Sequence, residues 1–163
     1  MNEPLPSLSG VVVFACGEPL RGDDSVAPLA VRGLPPDVLA RVDVRLVGAL
    51  EVEDLIALPA GVQAVIVDAV VGPEPGRVIE MDLQELGRRA AAVVTASSHQ
   101  LSLDKVVALA QLLRDEPVVG RFVGVGIESV AIGETPGSSV GDAIPALRAA
   151  VSRAVTELLA DAA

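Results

Sequence analysis

The chain has 163 residues, 51% of them hydrophobic, enough for one sizeable core and too few for two. Its 22 acidic residues against 12 basic ones give a formal charge of −10, which argues against nucleic-acid backbones and anionic membranes as partners. With aromatic residues at 1% and neither Trp nor Tyr, the core must be built from Val, Leu, Ile and Ala, a composition suited to a buried parallel sheet.

A single cysteine, Cys16, rules out an intramolecular disulfide and points to a reducing cytoplasm. The acidic residues around it, Glu18, Asp23 and Asp24, disfavour a thiolate, so Cys16 reads as a small strand-end hydrophobe. Residues 1–9 carry Glu3 and no basic stretch, and read as a flexible lead rather than a signal peptide. No apolar run reaches the length of about 18 residues that a membrane span requires.

In chain order, residues 11–15 predict a buried first strand, and residues 25–31 a short helix stopped by Gly33 and Pro35-Pro36. Between them lies the acidic loop Gly17-Glu18-Pro19-Leu20-Arg21-Gly22-Asp23-Asp24. Residues 42–47 alternate in polarity, as expected for a strand near the sheet's edge, and residues 51–58 read as a helix ended by Pro59. Residues 64–70 form the strongest candidate for a central strand. The dense turn Gly72-Pro73-Glu74-Pro75-Gly76 then predicts that residues 77–81 turn back antiparallel.

Residues 82–92 are weakly patterned, 93–95 are extended, and Ser97-Ser98-His99-Gln100 precede an amphipathic helix over 103–114 with Ser102 as its N-cap. Val106, Val107, Leu109, Ala110, Leu112 and Leu113 would form its apolar face. A last inner strand begins near Val118 and runs to Ile127, with Glu128 at its end. The closing helix, 142–159, carries Ile144, Leu147, Val151, Val155 and Leu158 at helical spacing. This alternation predicts a single α/β domain: a three-layer α/β/α sandwich around a mostly parallel, twisted mixed sheet of about five strands.

Asp24, Asp68 and His99 fall at the ends of three separate strands, where an open α/β sheet binds its ligands. Two carboxylates and the chain's only imidazole make an unsaturated first shell for a divalent transition ion. Without a cation the two acids repel, so the site gains by binding one. The competing structural reading makes Asp23 the cap of the first helix, with Asp24 in its first turn and His99 at a helix entry. The acidic loop has no phosphate-binding glycine pattern, Arg21-Gly22-Asp23 matches the adhesion tripeptide in letters only, and Ser97 and Ser98 lack a nucleophile elbow.

Four blocks together carry a resemblance: G-x-P-L-R-G-D-D after the first strand, V-D-A-V followed by G-x-x-P-G, S-S-H before the amphipathic helix, and G-I-E after the last inner strand. In order and spacing, from Val11 to about Leu159, they resemble the hydrogenase maturation endopeptidases. That resemblance implies a protease, and the absence of an evident apolar seam in the sequence makes a monomer the expectation. The protease would remove a short carboxyl-terminal extension from the precursor of a nickel-iron hydrogenase large subunit, after nickel insertion, by carboxylate- or metal-assisted hydrolysis. Carried over by position, Asp24, Asp68 and His99 are the catalytic and metal-contacting residues, with Asp24 standing where some members have glutamate. Glu18 and Ser25 stand where the family often has asparagine and glycine, which implies either an altered loop geometry or a third carboxylate near the ion. The nickel would arrive with the substrate, and another divalent ion can take its place in the isolated protein. The rival expectation is a metal-binding chaperone or sensor with the same shell and no proteolysis.

Overall fold

The computed structural model describes residues 9–18, 22–91, 101–128 and 136–162. Five strands form one sheet: β1 (Val11–Cys16), β2 (Asp43–Val47), β3 (Gln63–Val70), β4 (Val78–Asp82) and β5 (Gly120–Gly126), in the order β2-β1-β3-β5-β4. All neighbouring pairs are parallel except β4 with β5. β1 is buried along its whole length, as a continuous Val/Phe/Ala run between two helical layers should be. The three-layer mixed sheet expected from the sequence is therefore the observed fold.

Side-chain alternation divides the core in two. Val11, Val13, Ala15, Val65 and Val67 face a layer that includes α1 (Val26–Arg32), α2 (Pro36–Leu39), α6 (Ser138–Asp142) and the long α7 (Ile144–Asp161). Val12, Phe14, Cys16, Ala64 and Ile66 face α3 (Val52–Ile56), α4 (Leu83–Ala91) and α5 (Leu103–Leu113). Leu147, Val151, Val155 and Leu158 are buried as the helical spacing predicts.

Several local expectations are refined. Pro35-Pro36 does not only stop α1; Pro36 occupies the first turn of α2, where its missing N–H costs nothing. The short α6 carries no apolar periodicity, which is why the sequence reads there as loop. α3 is shorter than residues 51–58. β4 does turn antiparallel, but it pairs with β5, because β5 inserts beside β3. The weakly patterned stretch after β4 is helical as α4. Ser102 sits at the N-cap of α5 with extended backbone angles, yet its hydroxyl makes no cap hydrogen bond. Of the expected apolar face, Val106, Val107 and Ala110 are buried, whereas Leu112 and Leu113 are 82% and 60% exposed. The face of α3 and α5 thus carries exposed apolar side chains where the sequence pattern gave no sign of a seam. The extended piece at 93–95 and the Ser97-to-Gln100 segment lie outside the described residues.

α3 is too short to be stable alone and is fastened at its carboxyl end. One guanidinium nitrogen of Arg114 donates to the carbonyls of Leu55, Ile56 and Leu58 at 2.9, 3.0 and 2.8 Å. Leu55 and Ile56 end α3 and Leu58 lies just beyond it, where carbonyls outnumber helical donors, although Leu55 also accepts the Leu58 N–H at 3.3 Å. Replacing Arg114 with Met is expected to cost about 2 kcal/mol of unfolding free energy, read from the shift of the urea midpoint at unchanged slope.

Candidate functional site

The chain leaves β1 for β2 on one side, then crosses back to β3 on the other, so the carboxyl ends of β1 and β3 frame the topological switch point. Ala15 pairs with Val67, which sets Cys16 and Asp68 at the same level at the top of the two strands. By alternation Asp68 points to the same face as Ile66 and Cys16, the side of α3 and α5.

β1 is followed by Gly17, whose φ of 116° lies in the region that only glycine adopts without strain. A side chain there would run into the carbonyl oxygen of Asp24, so the turn Gly22–Ser25, a single 3-10 turn, folds back directly onto the strand end. The Gly17 N–H donates to the carbonyls of Val47 and Gly48 at 3.1 and 2.9 Å, joining this corner to the end of β2. Asp24, half-buried, accepts the Glu18 N–H at 3.0 Å on Oδ2.

Asp68 accepts the N–H of Ala69 on Oδ1 at 2.8 Å. Burial pushes its carboxyl up from 3.8 to about 7; the Ala69 hydrogen bond opposes this, and the negative charge of Asp24 adds to it. Asp68 therefore keeps its proton far into the range where exposed carboxylates have lost theirs. The same surroundings hold the Cys16 thiol far above its ordinary range, chiefly through burial, then through the charges of Asp68, Asp54 and Asp24, against the N–H of Leu50. Cys16 is thus a neutral buried thiol, as expected, but burial outweighs the acidic neighbours, and Asp68 and Asp54 act on it where the sequence had pointed to Glu18 and Asp23.

The adjacent acids Asp23 and Asp24 do different work. Asp23 is 1% exposed; its Oδ2 accepts the N–H of Glu128 at 2.8 Å and its Oδ1 that of Gly137 at 2.7 Å. It does not cap α1, whose N-cap position is held by Ser25. It joins the turn beneath Asp24 to the exit of β5 and to the entry of α6, contacts spanning more than a hundred residues. This structural role was missed from sequence; the only signal was a second acid in a turn followed far downstream by G-I-E.

Asp24 stands near enough to Asp68 for its charge to act on the Asp68 carboxyl. His99, Ser97 and Ser98 lie outside the described residues. Glu18 does not complete the pair: its carboxylate lies over Gly48, where a Cβ would come within 2.7 Å of Oε1, and β2 is on the far side of β1 from β3. Among the described residues no three His, Cys, Asp or Glu side chains converge on one point. Two carboxylates whose mutual repulsion is relieved by a cation fit a divalent ion as part of a donor set, with oxygen atoms only.

Below pH 3.8 Asp68 is protonated folded and unfolded; from there to about 7 only the folded chain holds the proton, so this group's contribution to stability falls as pH rises and its penalty is full above about 7. Metal-free Asp68→Asn is accordingly expected to gain stability over the unsubstituted protein between about pH 5 and about pH 8, measured by urea unfolding. Asp23→Ala strands two backbone N–H groups and is expected to lose about 3 kcal/mol in the same assay.

No protein-family profile matches the chain, and no curated protein sequence matches it. Solved structures share its fold. The hydrogenase maturating endopeptidase HybD from E. coli is 23% identical with a TM-score of 0.69, over 90% of this chain and 92% of its own. The NiFe hydrogenase maturation protease HybD from Thermococcus kodakarensis is 21% identical with a TM-score of 0.61, over 88% and 97%. An endopeptidase from Escherichia coli solved in solution is 22% identical with a TM-score of 0.66, over 90% and 92%.

Proposed function

We propose that the protein is a hydrogenase maturation endopeptidase that removes the carboxyl-terminal extension from the nickel-loaded precursor of a NiFe hydrogenase large subunit. The observation that carries this reading is that Asp24 and Asp68 stand at the carboxyl ends of β1 and β3, beside the switch point, where the charge of one acts on the other; the family resemblance assigns both positions to metal contact. The fold shared with the maturation proteases supports it from a second direction.

In this reading the nickel belongs to the substrate, and Asp24, Asp68 and His99 contact it when the precursor docks. A bound divalent ion supplies Lewis-acid polarisation of the scissile carbonyl. The chain's own part is positional and protonic. Asp24, tied to the Glu18 N–H, offers a fixed carboxylate edge. Without the ion, burial holds the Asp68 proton up to about 7; beside the cation that proton would be released, leaving a carboxylate whose second oxygen can act as a base. As general base, its carboxylate takes a proton from the attacking water while the water oxygen bonds to the carbonyl carbon. The carbon–nitrogen bond then breaks and the proton passes to the departing amine. The buried, neutral Cys16 takes no part.

The test is intact-mass analysis of a nickel-loaded large-subunit precursor incubated with the protein. Loss of a carboxyl-terminal peptide is expected only with nickel present, and Asp68→Ala and His99→Ala should each slow it by at least about a hundredfold. Metal binding through these residues with no loss of mass from any cognate precursor would overturn proteolysis in favour of a chaperone.

A further inference from the structure

We propose that the groove between α3 and α5 docks an extended segment of the polypeptide substrate, apolar on alternate residues and basic at the end nearest Glu51 and Glu53; this rests on the proteolytic reading above. The groove encloses about 490 Å³, within the range of about 300–1,000 Å³ usual for ligand sites. Its walls include Leu50, Ile56, Leu101, Leu109 and Leu113. Ile56, Leu101 and Leu113 are 39%, 51% and 60% exposed, which leaves an apolar strip open to water.

Its position says what it serves. α3 and α5 both start at the carboxyl edge of the sheet and pack on the face to which Asp68 points. At the groove's mouth the Leu50 N–H bonds to the Cys16 thiol, and Cys16 stands level with Asp68 and directly precedes Gly17, on which Asp24 rests. A chain lying in the groove therefore leads to the carboxylate pair. The eleven residues of α5 span about 16 Å, the length of about five extended residues. An extended segment directs every second side chain into the groove, hence the alternation.

Charge fixes the end of the segment. Glu51 and Glu53 are exposed on the rim, and among the described residues no basic side chain lines the groove. Asp54 accepts the Glu51 N–H at 2.8 Å and the Glu51 side chain accepts the Asp54 N–H in return, a capping box that leaves Glu53 as the rim carboxylate outside the cap. The rim thus matches an arginine or lysine on a segment approaching a chain of charge −10. The other large groove, about 480 Å³ between α4 and α5, is lined by Arg88 and Arg114 and by none of the residues at the carboxyl edge of the sheet.

The experiment uses two fluorescein-labelled hexapeptides of alternating valine and serine, one with arginine at its amino end and one at its carboxyl end, with glutamate-for-arginine controls. Anisotropy is read with the unsubstituted protein, Leu113→Glu, Glu53→Lys and Asp68→Asn, and each is also assayed on nickel-loaded precursor. One arginine peptide should bind at least about tenfold more tightly than its glutamate control, and Glu53→Lys should reverse that preference. Leu113→Glu, an exposed position that folding tolerates, should weaken binding about tenfold and raise KM for the precursor by as much, with kcat unchanged. Asp68→Asn should keep peptide binding and lose kcat. Peptide binding that obeys these rules without any precursor cleavage would uphold the groove and defeat the proteolytic reading. Precursor cleavage with Leu113→Glu and Glu53→Lys kinetically unaltered would overturn the groove and leave that reading standing. A dimer in sedimentation that Leu113→Glu dissociates, with no peptide bound, would also overturn it.

Discussion

The register of β1 against β3 is the constraint on which the site depends. With Ala15 opposite Val67, the last residues of both strands end level, and the turn after β1 falls beside Asp68. A slip of one residue would swing Asp68 to the opposite face of the sheet and exchange every inward side chain of β3 between the two half-cores. The burial of Val65 and Val67 on one side and of Ala64 and Ile66 on the other makes that slip prohibitive. The positioning of a charged residue is thereby enforced by apolar neighbours that have no chemical role.

Two adjacent acids divide structural and chemical work. Asp23 spends its charge on backbone N–H groups from β5 and α6, fixing the 3-10 turn from below. Asp24, one residue on, is left at the surface of that turn, where its charge reaches Asp68. Gly17 makes this close return possible because a Cβ would occupy the place of the Asp24 carbonyl. The result is a carboxylate pair held by interactions that do not themselves depend on a cation. Such preorganisation avoids reorganising the site as charge develops.

Much of the fold was legible in sequence, for physical reasons particular to each element. The buried run 11–15 and the central strand 64–70 announce themselves because a parallel strand covered on both faces must be apolar throughout. The alternation in 42–47 correctly marked an edge strand. The pairing of β4 with β5 was hidden because it depends on which strand inserts beside β3, a tertiary choice with no local signature. Asp24 and Asp68 were legible as strand-end acids. Asp23's clamp was not, since its partners lie more than a hundred residues away. The exposed flank of α5 was misread because helical periodicity reports an apolar face without saying what covers it.

In the proposed function Asp24 and Asp68 contact the metal of a docking substrate. Nickel K-edge absorption of the nickel-loaded precursor, alone and freeze-trapped with the protein, tests that contact at the atoms concerned. Added oxygen and nitrogen scatterers around nickel are expected in the complex, diminished when Asp68→Asn is used. An unchanged nickel environment in a complex that still forms would contradict the proposed contact.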